Sequence, residues 1–103
     1  LGAEQFSHID ALELATTEGA RLLNRDDIGE IREGACADLA LFSTDELRFA
    51  GAHDPLAALV LSGAHRAEAV MVDGEWKVRN GELLDVDLGE ILESQKKAAV
   101  ALV

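Results

Sequence analysis

The sequence predicts an α+β chain, with short antiparallel strands in the middle and helices at both ends. Three observations predict it. The pairs Asp73-Gly74 and Asn80-Gly81 fall between runs of strand-forming residues, and such pairs favour the tight turns that join antiparallel strands. Ser7-x-x-Asp10 and Asp87-x-x-Glu90 place a side-chain acceptor three residues ahead of an acid, which is how a helix start is capped. Asp38 opens an apolar run, Leu39 to Phe42, of the length and type of a buried strand.

The elements follow in order. A helix begins after Ser7, with Ile9, Leu12 and Ala15 or Thr16 on one face. Thr16, Thr17 and Gly19 weaken it, which predicts a break there and a second short turn through Arg21 to Leu23. Asn24 tolerates the left-handed conformation and closes that turn. Residues 25–36 are a loop in which Gly29 and Gly34 bracket a turn, and a strand runs from Ala37 to Ser43. The stretch from Thr44 to Pro55 is irregular, with a turn near Gly51. Asp54 caps a short helix, Leu56 to Leu61, with Pro55 in its first turn and Ser62-Gly63 at its end. Glu68–Asp73 and Glu75–Arg79 form a hairpin, and a third short strand runs through Leu83. Asp87 starts a terminal helix along which Ile91, Leu92, Gln95 and Ala99 are spaced. One folded unit is expected, divided into residues 1–24, 25–85 and 86–103.

Composition narrows the functions. A hydrophobic fraction of 49% in 103 residues suffices for one core. The formal charge of −11, with no cluster of lysine and arginine, repels phosphate backbones, so nucleic acid is not expected as a partner. No apolar run reaches the ~18 residues that span a bilayer, and the amphipathic helices carry more acid than base on their polar faces, so a membrane is not expected either. The single cysteine, Cys36, forms no internal disulfide, in keeping with a reducing cytoplasm. The first residue, Leu1, fits a processed or truncated start.

A resemblance sharpens this reading. Ile28-Gly29-Glu30-Ile31-Arg32-Glu33-Gly34-Ala35-Cys36-Ala37-Asp38-Leu39 resembles the "I-G-x-I-x-x-G-x-x-A-D-L" segment of the amidohydrolase superfamily. Ala11-x-x-x-Ala15-Thr16-x-x-Gly19-Ala20-x-x-Leu23, Asp54-Pro55-x-x-Ala58-Leu59-Val60 and Val70-x-Val72-x-Gly74 are similar to further family motifs, in the family's order. Each motif alone is weak; the ordered set is specific, and it covers Ala11 to about Leu84. Asp45-Glu46-Leu47-Arg48-Phe49, Gly51-Ala52-His53-Asp54-Pro55 and Gly63-Ala64-His65-Arg66-Ala67 resemble the 8-oxoguanine deaminase branch, whose members are often labelled hydroxydechloroatrazine ethylaminohydrolases. Cys36 departs from the pattern, since relatives more often carry lysine or another residue there.

The resemblance implies a division of labour. Such enzymes build a (β/α)₈ barrel of about 250 residues and a small composite β-sandwich made from both chain ends. Residues 1–24 would be the last barrel-packing helices, 25–85 the C-terminal half of the sandwich and 86–103 a terminal helix. The family's metal ligands, an H-x-H pair, two further histidines and an aspartate, would all precede Leu1. In the parent a divalent metal, zinc or iron, would lower the pKa of its bound water for attack on an amino-bearing ring carbon. This segment would bind no metal, hold no catalytic residue and act structurally, with its substrate-binding residues unknown. Its partners would be the missing N-terminal barrel and, in isolation, further copies of itself. The alternative is a stand-alone, non-catalytic module for oligomerisation or subunit docking.

The residues themselves argue against chemistry here. His8, His53, His65 and Cys36 are the only candidate metal ligands besides carboxylates, and no two of them lie within four positions of each other. His8 is expected in the first turn of its helix, with His53 and His65 at loops or strand edges. Asp38 reads as an acid that accepts backbone N–H bonds from the Gly34 turn. Trp76 reads as a packed strand residue and not as a stacking platform for a ring. Cys36 lacks the positive surroundings of a nucleophile, having Glu30, Glu33 and Asp38 as neighbours in sequence.

Overall fold

The computed structural model describes residues 5–63 and 66–102. Helix α1 (His8–Ala15) starts on a complete capping box, in which the Ser7 Oγ accepts the Asp10 N–H and the Asp10 carboxylate accepts the Ser7 N–H. The helix breaks at Thr16 alone, whose Oγ1 donates to the Leu12 carbonyl at 2.7 Å. The next helix, α2 (Thr17–Leu22), therefore begins earlier than the sequence suggests and keeps Gly19 inside it. Asn24 closes α2 at φ 57°, while the Arg25 N–H donates to the Ala20 carbonyl and the Asn24 N–H to the Arg21 carbonyl.

After the 25–36 loop comes strand β1 (Leu39–Leu41), shorter than the predicted Ala37–Ser43 because it pairs only with the short β2 and its outer edge is open among the described residues. A 3₁₀ turn at Leu47–Phe49 lies where the sequence reads as irregular, and it buries Phe49. Helix α3 (Pro55–Leu61) is capped by Asp54, whose Oδ1 accepts from the Leu56 and Ala57 N–H groups.

Strands β2 (Ala69–Val72), β3 (Glu75–Arg79) and β4 (Glu82–Leu83) complete an antiparallel sheet in the order β1-β2-β3-β4. Asp73 and Gly74 both have positive φ, as do Asn80 and Gly81, which is the geometry that hairpin turns of this hand require. The register shifts between Met71↔Trp76 and Val70↔Val78, so β3 carries one extra residue, a bulge at Lys77. Helix α4 (Leu88–Ala101) follows, with the Asp87 Oδ1 accepting the Glu90 N–H at 3.0 Å.

The packing is open. Helix α1 packs on α2 and α3, α3 meets the 3₁₀ turn, and the strands pair with one another. Between these two groups lies an apolar groove of about 590 Å³ lined by Leu12, Leu23, Ile28, Leu39, Phe42 and Leu59 among others. Among the described residues only Ala20, Phe49 and Ala58 form a fully buried apolar core. A folded monomer of this chain's 11.0 kDa exposes about 5,600 Å². The chain exposes 8413 Å². Its radius of gyration, 17.4 Å, likewise exceeds the roughly 13 Å of a closed domain of this length. Half of the sequence is apolar, yet the chain alone does not bury it.

Candidate functional site

Sequence patterning singles out three histidines, a cysteine, an aspartate and a tryptophan, and the structure does not bring them to one place. His8 is the first residue of α1, as predicted, and its Nε2 lies 3.4 Å from the Asp54 Oδ2. The contact ties the start of α1 to the cap of α3. His53 is exposed in the loop before Asp54. His65 lies outside the described residues. Among the described residues no three His, Cys, Asp or Glu side chains stand close enough to hold a metal ion.

Asp38 corrects its prediction. Its carboxylate does not serve the Gly34 turn; the Oδ1 accepts the Asp73 N–H at 2.7 Å. The neighbouring Gly74 N–H donates to the Ala37 carbonyl at 3.1 Å. The two bonds fasten the β2–β3 turn to the start of β1, so Asp38 positions the hairpin.

Cys36 sits in a cluster of three side chains that the sequence did not reveal. Arg25 makes a two-pronged ion pair with Asp27, Nε to Oδ1 and Nη2 to Oδ2, both at 2.9 Å. The Cys36 thiol donates to the Asp27 Oδ2 at 3.2 Å, and its backbone N–H donates to the Asp27 carbonyl at 2.7 Å. The hydrogen bonds from Arg25 and Cys36 hold the Asp27 carboxyl at about 2, below the ordinary 3.8. The thiol is pushed up, first by its bond to Asp27 and then by desolvation. A nucleophilic cysteine needs the opposite shift. The decisive acid is Asp27, not the Glu30, Glu33 and Asp38 named from sequence proximity. The cluster closes the 25–36 loop on itself, and Arg25 and Asp27, two positions apart, carry no periodicity that would betray it.

Trp76 also differs from expectation. It is 39% exposed, with the Arg79 guanidinium 4.8 Å above its ring. The bulge at Lys77 explains the pairing: one extra residue brings positions 76 and 79 to the same side of the sheet. The result is a surface contact, not a packed strand residue.

What the chain offers, then, is surface that calls for cover. Exposed apolar side chains occur on α1 and α2 (Ile9, Leu14, Leu22), in the 25–36 loop (Ile31), at the 3₁₀ turn (Leu47) and along α4. Among the described residues no helix is long and apolar enough to cross a membrane.

A model of the amidohydrolase family matches residues 2–77. The chain is 51% identical over 102 residues to the 8-oxoguanine deaminase of Pseudomonas aeruginosa, covering 99% of this chain and 23% of that protein. It is 33% identical over 95 residues to the 5′-deoxyadenosine deaminase of Methanopyrus kandleri, 22% of whose length it spans. Among solved structures, the atrazine chlorohydrolase of Arthrobacter aurescens, complexed with zinc, superposes with a TM-score of 0.85 at 33% identity, over 89% of this chain and 20% of that one. The chain thus spans less than a quarter of the length of the relatives it matches. By sequence and by fold, the chain belongs to the amidohydrolase family.

Proposed function

We propose that this chain is the C-terminal portion of a metal-dependent hydrolase that removes an amino group from a purine-like or triazine-like ring, water supplying the oxygen and ammonia leaving. 8-Oxoguanine is the first substrate to test. The observation that carries this reading is the 51% identity to an 8-oxoguanine deaminase along 99% of the chain, against 33% to a 5′-deoxyadenosine deaminase.

The chain's own part in that reaction is structural. Residues 1–24 would pack against the barrel, 25–85 would form half of the composite sandwich, and 86–103 would add the terminal helix. The divalent metal, zinc or iron, would be held by the rest of the polypeptide. The open groove and the exposed faces of α1 and α2 support this reading, because a complete partner would cover them.

The test has two steps. The intact mass of the native gene product in its source cells should be several times 11.0 kDa. The complete polypeptide, purified with its metal, should release ammonia from 8-oxoguanine. A native product of about this chain's own mass would instead favour a stand-alone module for oligomerisation or subunit docking. A long product that leaves aminopurines and aminotriazines untouched would overturn the substrate class while leaving the family intact.

A further inference from the structure

The chain has two asparagines, Asn24 and Asn80, and only Asn80 is followed by glycine. Such a pair is chemically labile as well as turn-forming. The backbone nitrogen of the next residue can attack the asparagine side-chain carbonyl carbon, and glycine, having no Cβ, lets the two atoms approach most freely. A C–N bond forms to the Gly81 nitrogen, the side-chain nitrogen leaves as ammonia, and a five-membered imide remains. Water then opens the imide at one of its two carbonyls. One opening leaves aspartate; the other leaves isoaspartate, in which the main chain runs through the former side chain. The net change is amide plus water to carboxylate plus ammonium, so solvent water is the only co-reactant.

In the folded chain the pair is open to solvent but fastened. Asn80 is exposed, and a Cβ at Gly81 would meet nothing within 4 Å. The attacking nitrogen is engaged, however: the Gly81 N–H donates to the Glu68 carbonyl, ahead of β2, at 2.9 Å. The Gly81 carbonyl accepts the Arg66 Nη2 at 2.9 Å. The pairing of Arg79 with Glu82 closes the turn from the strand side. The Gly81 nitrogen must give up its proton and turn toward the Asn80 side chain to react, and these contacts oppose that movement.

We propose that Asn80–Gly81 is a deamidation site that the native hairpin holds shut and that reacts when the β3–β4 turn opens. The two products then differ in consequence. Aspartate can return to the turn, as Asp73 shows by holding the matching place in the β2–β3 turn at φ 50°. Isoaspartate adds a carbon to the main chain, so the Arg79–Glu82 register cannot re-form. Opening followed by reaction is therefore one-way for the iso product. The proposal does not depend on the substrate class or on the metal.

Ageing of the native gene product tests it, with peptide mass mapping as the readout and N80D as the reference for the aspartate product. Asn80 should be lost at least about tenfold more slowly in the folded protein than in the same protein unfolded in guanidinium, since reaction waits on local opening. Asn24, followed by arginine, should stay intact in both. R66A removes the contact to the Gly81 carbonyl from an exposed position, so the fold is not at risk. It should speed both the loss of Asn80 and the exchange of the Gly81 N–H by the same factor, about fivefold. Loss of Asn80 at equal rates in the folded and unfolded protein would overturn the proposal. So would an R66A variant that exchanges faster at Gly81 without losing Asn80 faster, or an unfolded protein in which Asn80 survives as long as Asn24. If R66A leaves exchange at Gly81 unchanged, the wild type in sub-denaturing guanidinium serves instead, and a loss of Asn80 that does not follow Gly81 exchange there would overturn it.

Discussion

The Asp38 carboxylate reaches across 35 positions of sequence to accept the backbone N–H of Asp73, at 2.7 Å. Asp73 is held there with a φ of 50°, a conformation disfavoured for any residue but glycine and eased for aspartate and asparagine. The bond joins the first strand to the hairpin that follows it two elements later. An acid at the mouth of a strand, which in isolation reads as a candidate for chemistry, is thereby a fastener between two segments of a sheet.

Removing that acceptor should loosen the turn selectively. D38A should cost about 1 kcal/mol, the typical net contribution of one intramolecular hydrogen bond. D38N keeps an acceptor and should cost less. Amide exchange monitors the site directly: the Asp73 N–H should exchange about fivefold faster in D38A, with the α3 amides unchanged. Equal acceleration at both places would mean that the substitution acts on the whole fold and not on this bond.

The Arg25–Asp27–Cys36 cluster makes a prediction about acid. The folded Asp27 titrates at about 2, below the ordinary 3.8, so its contribution is fully present above 3.8 and is lost as pH falls through about 2. Amide protection of Cys36, whose N–H is bound to the Asp27 carbonyl, should therefore hold from neutral pH to about 4 and fade only below it. In D27N the acid-dependent step should vanish. The same substitution removes the carboxylate that raises the thiol, so alkylation of Cys36 at pH 8 should speed up several-fold. An alkylation rate that stays at the wild-type value would dismiss Asp27 as the cause of the raised thiol.

What was legible in the sequence was local. Ser7 with Asp10, Asp54 with Pro55, and Asp73-Gly74 each announce a cap or a turn through residues within four positions of one another, and all three form as read. The α+β class follows from them. Contacts between distant segments were not legible. Asp38 finds Asp73, Cys36 finds Asp27, and Trp76 meets Arg79 only because β3 carries an extra residue that no periodicity marks. Strand β1 is shorter than its apolar run for a related reason: such a run states that a strand is to be covered, but not whether its partner lies within the same chain. The spacing of the histidines and the cysteine argues against a metal site, whereas the family is read from motif order, a different kind of information.

Gly29 marks where the loop presses on the helical break. Its φ is +92°, and a Cβ there would stand 2.8 Å from the Thr16 carbonyl oxygen and 2.9 Å from the Ala20 Cβ. Gly51, at φ +81°, has open space around the same imaginary atom. G51A should therefore cost only the left-handed strain, about 1 kcal/mol. G29A should cost clearly more, about 3 kcal/mol, because backbone and a buried alanine must both move. Denaturant midpoints of the two variants, compared at equal m-value, decide the matter. Equal midpoints would show that the loop can lift off α2 at little cost.

The surplus of exposed surface makes the last prediction, which concerns the chain by itself. It exposes 8413 Å², about 2,800 Å² more than a closed monomer of its mass, and its fully buried apolar residues among those described are two alanines and a phenylalanine. Burial is the main force holding a domain together, so a chain that leaves Leu22, Ile31 and Leu47 at about 90% exposure gains little from folding alone. The 103 residues expressed alone should bind a hydrophobic dye, unfold with low cooperativity and self-associate at micromolar concentration by light scattering. The complete polypeptide should bind far less dye per molecule and unfold in a sharp transition. If the isolated chain instead ran as a clean monomer with a sharp transition, the burial seen among its described residues would suffice for a core, and it would need no covering partner.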